Sequence, residues 1–278
     1  MTKKVFAPEF QKDSHGWYLF PPNDSKERVM FFPEDALEHP AKLNFHLQQA
    51  LIEYLTEPGE TILDPTSGTG TLMIAALQKR RVILLEIEEK FHELQQRGKS
   101  KIKEAALITE DAQWMEENII LLQGDCRFLL PITCNHVMFS PPYAQAMNIK
   151  KVREQKEGRD DYFVKQDRMM LEYSKSPRNI SKLNPFLYSM EMEKIYRQLV
   201  DSILPGGTLT VVIKDRINNG ERTFLSHWVN KVAILQCGME MKDWFKWKAP
   251  GVMFTNVRRS QGEEVVDDED ILVYRKPS

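Results

Sequence analysis

Seven short apolar runs punctuate the chain, each bounded by turn-forming or charged residues. They are ETILDP (60–65), RVILLE (81–86), NIILLQGD (118–125), HVMFSPP (136–142), TLTVVIKD (208–215), MEMKDWFKW (239–247) and DILVYRK (270–276). Most lack the polar alternation of a half-exposed strand, which marks strands covered on both faces. Helical spacing lies between them. Apolar positions 43, 47, 50, 51, 54 and 55 follow a helical period until Pro58-Gly59 stops it, and Thr71–Lys79, Glu88–Gln96, Phe186–Ile203 and Thr223–Val232 have helical character. Glu104–Gln113 stays open between helix and loop. Strands alternating with helices predict an α/β fold: a seven-stranded, mostly parallel sheet with helices on both faces and an antiparallel last strand. Residues 1–34, rich in prolines and aromatics, read as an irregular arm. The division expected is an arm over 1–38 and one larger domain over 39–278, with a polar insertion at 144–185.

Composition narrows the class. At 278 residues with 42% hydrophobic content, the chain is long enough to bury one large core, and no apolar run is long enough to span a bilayer. Two lysines near the N-terminus lack an apolar segment behind them, so no secretory signal is read. The odd number of cysteines, Cys126, Cys134 and Cys237, shows no disulfide spacing and suits a reducing cytoplasm. A net charge of −2 means that a nucleic-acid partner would have to be held by a local basic surface.

Candidate chemistry begins directly after the first run, at LDPTSGTGT (63–71). Gly68 and Gly70 permit a sharp turn and a close ligand approach, and the next helix offers free N–H groups. Tight α/β turns carry such glycines for packing alone, and the pattern is neither a phosphate-binding loop nor GxGxxG. The acids are more telling. Asp64 ends the first run, Glu86 the second and Asp125 the third, which places three carboxylates along the edge where open α/β sheets bind ligands. Asp64 suits a cationic amino group, Glu86 the hydroxyls of a ribose and Asp125 the amino group of an adenine. S-adenosylmethionine, an adenosine with a cationic amine and no phosphate, fits that description.

The fourth run ends in Ser140-Pro141-Pro142-Tyr143. Prolines cannot continue a central ladder, so the plain reading is a rigid strand-ending turn. The sharper reading is a site where fixed carbonyls, the Ser140 hydroxyl and the Tyr143 ring meet a planar ligand. A string of the form [SDN]PP[YF] arises by chance in roughly one chain in a hundred of this length at average proline usage, so it weighs more than the glycine turn.

With these residues in place, the chain resembles the S-adenosylmethionine-dependent DNA amino-methyltransferases, which methylate an exocyclic nitrogen of cytosine or adenine. DPTSGTGT resembles their motif I, Glu86 falls at motif II, GDCRFL at motif III and SPPY at motif IV, while HPAKLN (39–44) resembles motif X. The order X-I-II-III-IV is similar to the γ arrangement, and LPGGTLTVVIKD and DEDILVYRK resemble the later strands. Thr66 stands where an aromatic is usual in motif I, and no long target-recognition domain follows the last run. The resemblance implies a Rossmann-like class I methyltransferase fold, with the cofactor held by Lys42, Asp64, Thr66, Gly68, Thr69, Gly70, Glu86, Asp125 and Cys126. It implies catalysis at Ser140, Pro141, Pro142 and Tyr143 on a base flipped out of DNA, and serine at the first position is the pattern associated with cytosine N4, with adenine N6 the alternative. The same resemblance carries restriction-modification as a setting.

Residues 150–182 carry ten Lys/Arg against six Asp/Glu, with Tyr162, Phe163 and Tyr173 interleaved. Such stretches are usually solvated surface. Following directly on Tyr143, this one is expected to border the base opening, with Lys150, Lys151 and Arg153 on phosphates. FKWKAPG (245–251) and NVRRSQG (256–262) form a second, weaker contact candidate, and Trp244 and Trp247 read equally well as core. No metal is expected: Cys126, Cys134 and His136 lie on separate run ends, His39 and His46 read as surface or cap residues, and neither HExxH nor paired CxxC occurs. Rival readings are an RNA base methyltransferase, a protein glutamine methyltransferase, whose motif begins with Asn, and a non-catalytic nucleic-acid-binding subunit.

Overall fold

The computed structural model describes residues 4–38, 42–106, 111–143, 175–218, 221–249 and 259–278. All seven apolar runs are strands of one sheet. β1 (Thr61–Asp64), β2 (Arg81–Glu86), β3 (Ile119–Gln123), β4 (Cys134–Phe139), β5 (Ile203–Ile213), β8 (Glu240–Lys248) and β9 (Asp268–Arg275) lie in the order β3-β2-β1-β4-β5-β9-β8. The first five are parallel, and β9 runs antiparallel between β5 and β8. Alternation sorts the strand residues between two cores. Ile62, Ile271 and Val273 face one cluster, while Leu63, Leu272 and Tyr274 face the other. The inner strands are buried on both faces, which is why their sequences show no polar face, while the edge strand β8 alternates exposed and covered residues.

One core packs under α2 (Phe45–Leu55), the 3₁₀ segment Thr71–Gln78, α3 (Glu89–Ala106) and α4 (Ala112–Asn118). The other packs under α5 (Cys126–Leu129), α6 (Pro185–Ser202) and α7 (Leu225–Asn230), the last prolonged by a π-helical turn over Lys231–Gln236. Asn44 caps α2 by accepting the Leu47 N–H at 3.1 Å, and Asn184 caps α6 with Pro185 in its first turn. The open segment Glu104–Gln113 divides between the end of α3 and the start of α4, with 107–110 outside the described residues.

The arm is less irregular than its prolines imply. It holds α1 (Ser25–Phe31) and a 3₁₀ turn over Glu34–Glu38, and it buries Phe6, Tyr18, Phe20 and Phe32 in the first core. Near Tyr18 it pairs with the outer edge of β8. The Tyr18 N–H donates to the Lys246 carbonyl and the Lys248 N–H to the Tyr18 carbonyl, both at 2.9 Å. A two-stranded hairpin, β6 (Arg216–Asn218) and β7 (Glu221–Thr223), leaves the end of β5 and was not among the expected elements.

Order along the sheet reverses between β1 and β4. The chain steps outward through β2 and β3, then crosses back to β4 and β5. At such a switch point the connections diverge and leave a crevice at the carboxyl ends of the strands. The glycine turn follows β1 and SPPY follows β4, so both end at that crevice.

Candidate active site

The glycine turn is fastened on both sides. The Ser67 N–H and hydroxyl donate to the Leu85 carbonyl at 3.0 and 2.9 Å, and the fully buried Gln95 of α3 donates from Nε2 to Ser67 Oγ (2.8 Å) and to the Gly68 carbonyl (2.6 Å). Gly70 has φ +79°, and a Cβ there would stand 2.9 Å from Met73 Cε and 3.0 Å from Gln95 Cγ. The backbone angle requires glycine, and the space around it is tight.

The three strand-end acids differ in what holds them. Asp64 accepts the Thr66 N–H at 3.0 Å, and burial pushes its carboxyl up to about 7. Glu86 accepts the Glu88 N–H through Oε1 and the Gly68 N–H through Oε2, both at 2.8 Å, and burial raises it to about 8. Two desolvated carboxyls with so few donors favour a cation beside them. Asp125 is different, because Arg127 takes both its oxygens: the Arg127 N–H and Nε reach Oδ1 at 3.1 and 2.9 Å, and Nη2 reaches Oδ2 at 2.6 Å. An adenine amino group would therefore share Asp125 with a guanidinium, a neighbour the sequence reading did not assign. Cys126 is buried in the second core, where desolvation pushes its thiol up to about 12. Thr69 is buried and Thr66 half-buried in the turn.

Arg28 is a second residue missed in the sequence. It reaches from α1 into the same region almost completely buried, donating to Thr71 Oγ1 at 2.8 Å, to Asp24 Oδ1 at 2.9 Å and to the Leu43 carbonyl. Lys42 lies beside it and donates to the Leu37 carbonyl at 2.5 Å. Burial and the Arg28 charge lower its ammonium to about 8. His39–Ala41 of the HPAKLN motif lies outside the described residues.

SPPY is clamped from two elements. The Tyr143 hydroxyl accepts the Lys214 N–H just past β5 at 2.7 Å, and its ring packs on the second core. From α6, the Tyr188 hydroxyl donates to the Pro142 carbonyl at 2.6 Å. Thr66 Oγ1 lies 3.4 Å from the Ser140 carbonyl, so the turn after β1 touches the end of β4. Pro141 is buried and Ser140 half-buried. Lys150, Lys151 and Arg153 lie outside the described residues, as does the rest of the insertion up to 174. Its returning end is pinned. Glu88 accepts the Lys175 and Ser176 N–H groups at 2.9 and 3.1 Å and Asn179 Nδ2 at 2.8 Å, and Arg127 donates to the Arg178 carbonyl at 2.8 Å. Of the second contact candidate, Trp247 is core and Trp244 is 43% exposed. Among the described residues, no three His, Cys, Asp or Glu side chains stand close enough to share a metal ion, and no helix is long and apolar enough to cross a membrane.

Comparison with known proteins follows the same lines. A DNA methylase family model covering N6 and N4 enzymes matches residues 8–97. The type II methyltransferase M.BglI of Bacillus subtilis is 39% identical over 79 residues, which are 26% of this chain and 23% of that protein. YubD of Escherichia coli (strain K12) is 37% identical over 68 residues, 24% of this chain and 30% of its own length. Both matches thus span less than a third of the relative. In fold, the precorrin 8W decarboxylase of Methanobacterium thermoautotrophicum superposes with a TM-score of 0.50 at 10% identity, covering 92% of this chain and 99% of that one. Residues 8–97, which carry HPAKLN, the glycine turn and Glu86, thus match the N6/N4 DNA methylase family, and the seven-stranded, mostly parallel sheet is the one expected from the sequence.

Proposed function

We propose that the protein transfers a methyl group from S-adenosylmethionine to the exocyclic amino group of a base flipped out of DNA, cytosine N4 before adenine N6. The observation that carries this reading is the 3.4 Å approach of Thr66 to Ser140, which joins the glycine turn and SPPY in one crevice. The residues present suit the cofactor. Asp64 is a desolvated acid for the amino group, Glu86 accepts ribose hydroxyls, and Lys42 with Arg28 supplies positive charge beside Thr71 for a carboxylate. When bound, S-adenosylmethionine supplies an electrophilic methyl group on its sulfonium.

The chain's own groups then act on the nitrogen. Exocyclic amines are poor nucleophiles because the lone pair is delocalised into the ring. Hydrogen bonds accepted by the Ser140 hydroxyl and the Pro141 carbonyl draw both amino protons and free that lone pair. Two prolines and the Tyr143 and Tyr188 phenols keep those acceptors in place, so little reorganisation is needed as charge develops on nitrogen. Orientation does most of the work, and no covalent intermediate with the enzyme is required. Flipping the base costs a few kcal/mol, and stacking on Tyr143 returns about 1–3 kcal/mol. Serine favours cytosine because its hydroxyl can also donate toward ring N3.

The test is transfer of labelled methyl into DNA followed by mass spectrometry of the nucleosides. N4-methylcytosine is expected. Label appearing as N6-methyladenine, or in RNA or protein alone, rejects the cytosine reading.

A further inference from the structure

The β6–β7 hairpin departs from the sheet immediately beside the clamped SPPY turn. Lys214, whose N–H holds the Tyr143 hydroxyl, precedes the first hairpin residue by two positions. The hairpin is tightly set. Arg222 of β7 donates to Asp215 at 2.9 Å and to both oxygens of Asp268 at 3.0 and 2.8 Å. Asp215 also accepts the Leu225 N–H at 2.9 Å. Both acids are buried, and their charge is spent on Arg222, on Lys246 and on the start of α7.

Arg216, the first residue of β6, is left out of that accounting. It is half-buried, its Nε is buried without a hydrogen-bond partner, and among the described residues it forms no ion pair. Its charge acts on the Tyr188 phenol, the group that holds the Pro142 carbonyl. A buried Nε–H without an acceptor is costly unless something completes it. Its place, two residues past the amide that holds Tyr143 and beside the Tyr188 phenol, says what would. An anion arriving with the substrate supplies both the missing acceptor and the missing charge.

We propose that Arg216 is a substrate anchor whose guanidinium takes a phosphodiester oxygen of the strand that presents its base to Ser140–Tyr143. This rests on the reading of the protein as a DNA methyltransferase. It adds a contact outside the family motifs and outside the basic insertion.

The test uses the 278-residue chain, R216Q and R216K, with short duplex DNA of mixed sequence and binding followed by fluorescence anisotropy across a series of salt concentrations. A single phosphate contact contributes a slope of about 0.9 to log K against log salt on duplex DNA. R216Q is expected to lose about that much slope and to bind severalfold more weakly at low salt. R216K, which keeps the charge, should retain most of the slope. S-adenosylhomocysteine binding and the sequence context of methylated sites should be the same in all three proteins. An unchanged slope in R216Q overturns the proposal, and so does an equal loss of S-adenosylhomocysteine affinity, which would mark a structural role. A changed methylation context overturns the phosphate assignment in favour of base-edge contact. If the parent protein binds only RNA and R216Q still loses slope, the anchor stands and the DNA reading falls.

Discussion

The Gly68 amide donates to Glu86 Oε2 at 2.8 Å, so the acid that ends β2 also sets the turn that ends β1. Glu86 therefore holds the glycine backbone, and in the proposed reading it accepts ribose hydroxyls as well. E86A should abolish both and leave the half-buried Gly68 and buried Glu88 amides without that acceptor, while E86Q keeps the volume and one acceptor. The expected loss of S-adenosylhomocysteine affinity is at least about tenfold for E86A, or about 1.4 kcal/mol, and smaller for E86Q. Isothermal titration measures it, and equal affinities for E86A and the parent chain would remove Glu86 from the site.

Proton linkage follows from the same acids. Burial raises Asp64 from 3.8 to about 7 and Glu86 from 4.5 to about 8, so the folded state binds more protons than the unfolded one between those values. Ligand-free stability should therefore fall as pH rises from about 4 to about 8 and level off above, insofar as these two groups decide it. A bound ammonium favours the ionised carboxylates, so S-adenosylhomocysteine should bind more tightly toward pH 8, by up to about tenfold per pH unit for each proton released. Thermal melts with and without ligand from pH 5 to 9 check both arms. A flat ligand-induced shift would show that neither acid meets the cation.

Arg28 joins α1 to the glycine turn. R28M removes a buried cation from Asp24, whose carboxyl Arg28 helps to hold below its ordinary range against desolvation. Breaking one side of a buried pair costs roughly 3–5 kcal/mol, and urea denaturation should show a loss near the lower figure because Asp24 is only half-buried. D24N with R28M should recover part of it.

Tyr143 separates anchoring from stacking. Y143F loses the hydroxyl that accepts the Lys214 N–H, a cost of about 1 kcal/mol, but keeps the ring. Its methyl transfer should fall only severalfold. Y143A removes the ring as well and should lose most activity while S-adenosylhomocysteine binding persists. Full activity in Y143A would remove the ring from the mechanism.

Much of this architecture was legible in the chain because double burial leaves a plain signature. LLE in β2 and VVI in β5 need no polar face, and every one of the seven apolar runs became a strand of the sheet. Helix lengths were harder to read. The outer residues of α3, from Arg97 to Glu104, are mostly charged and carry no period of their own, so the expected Glu88–Gln96 stopped short of Ala106. The hairpin was missed although Asn-Gly at 219–220 is a strong turn signal, because its strands are only three residues long and, Ile217 apart, polar. Arg28 and Gln95 were invisible for another reason. A buried polar side chain on a helix looks like a solvated one until its partners, here Thr71 and Ser67, are known to fold against it.

The pairing of Tyr18 with Lys246 and Lys248 has a consequence beyond packing. β8 is the last strand of the sheet, and a bare border strand offers its unpaired amides to any neighbouring molecule. By pairing at Lys246 and Lys248, the N-terminal segment caps that end of the border. Its detachment would leave those backbone groups of β8 open to pairing with another molecule.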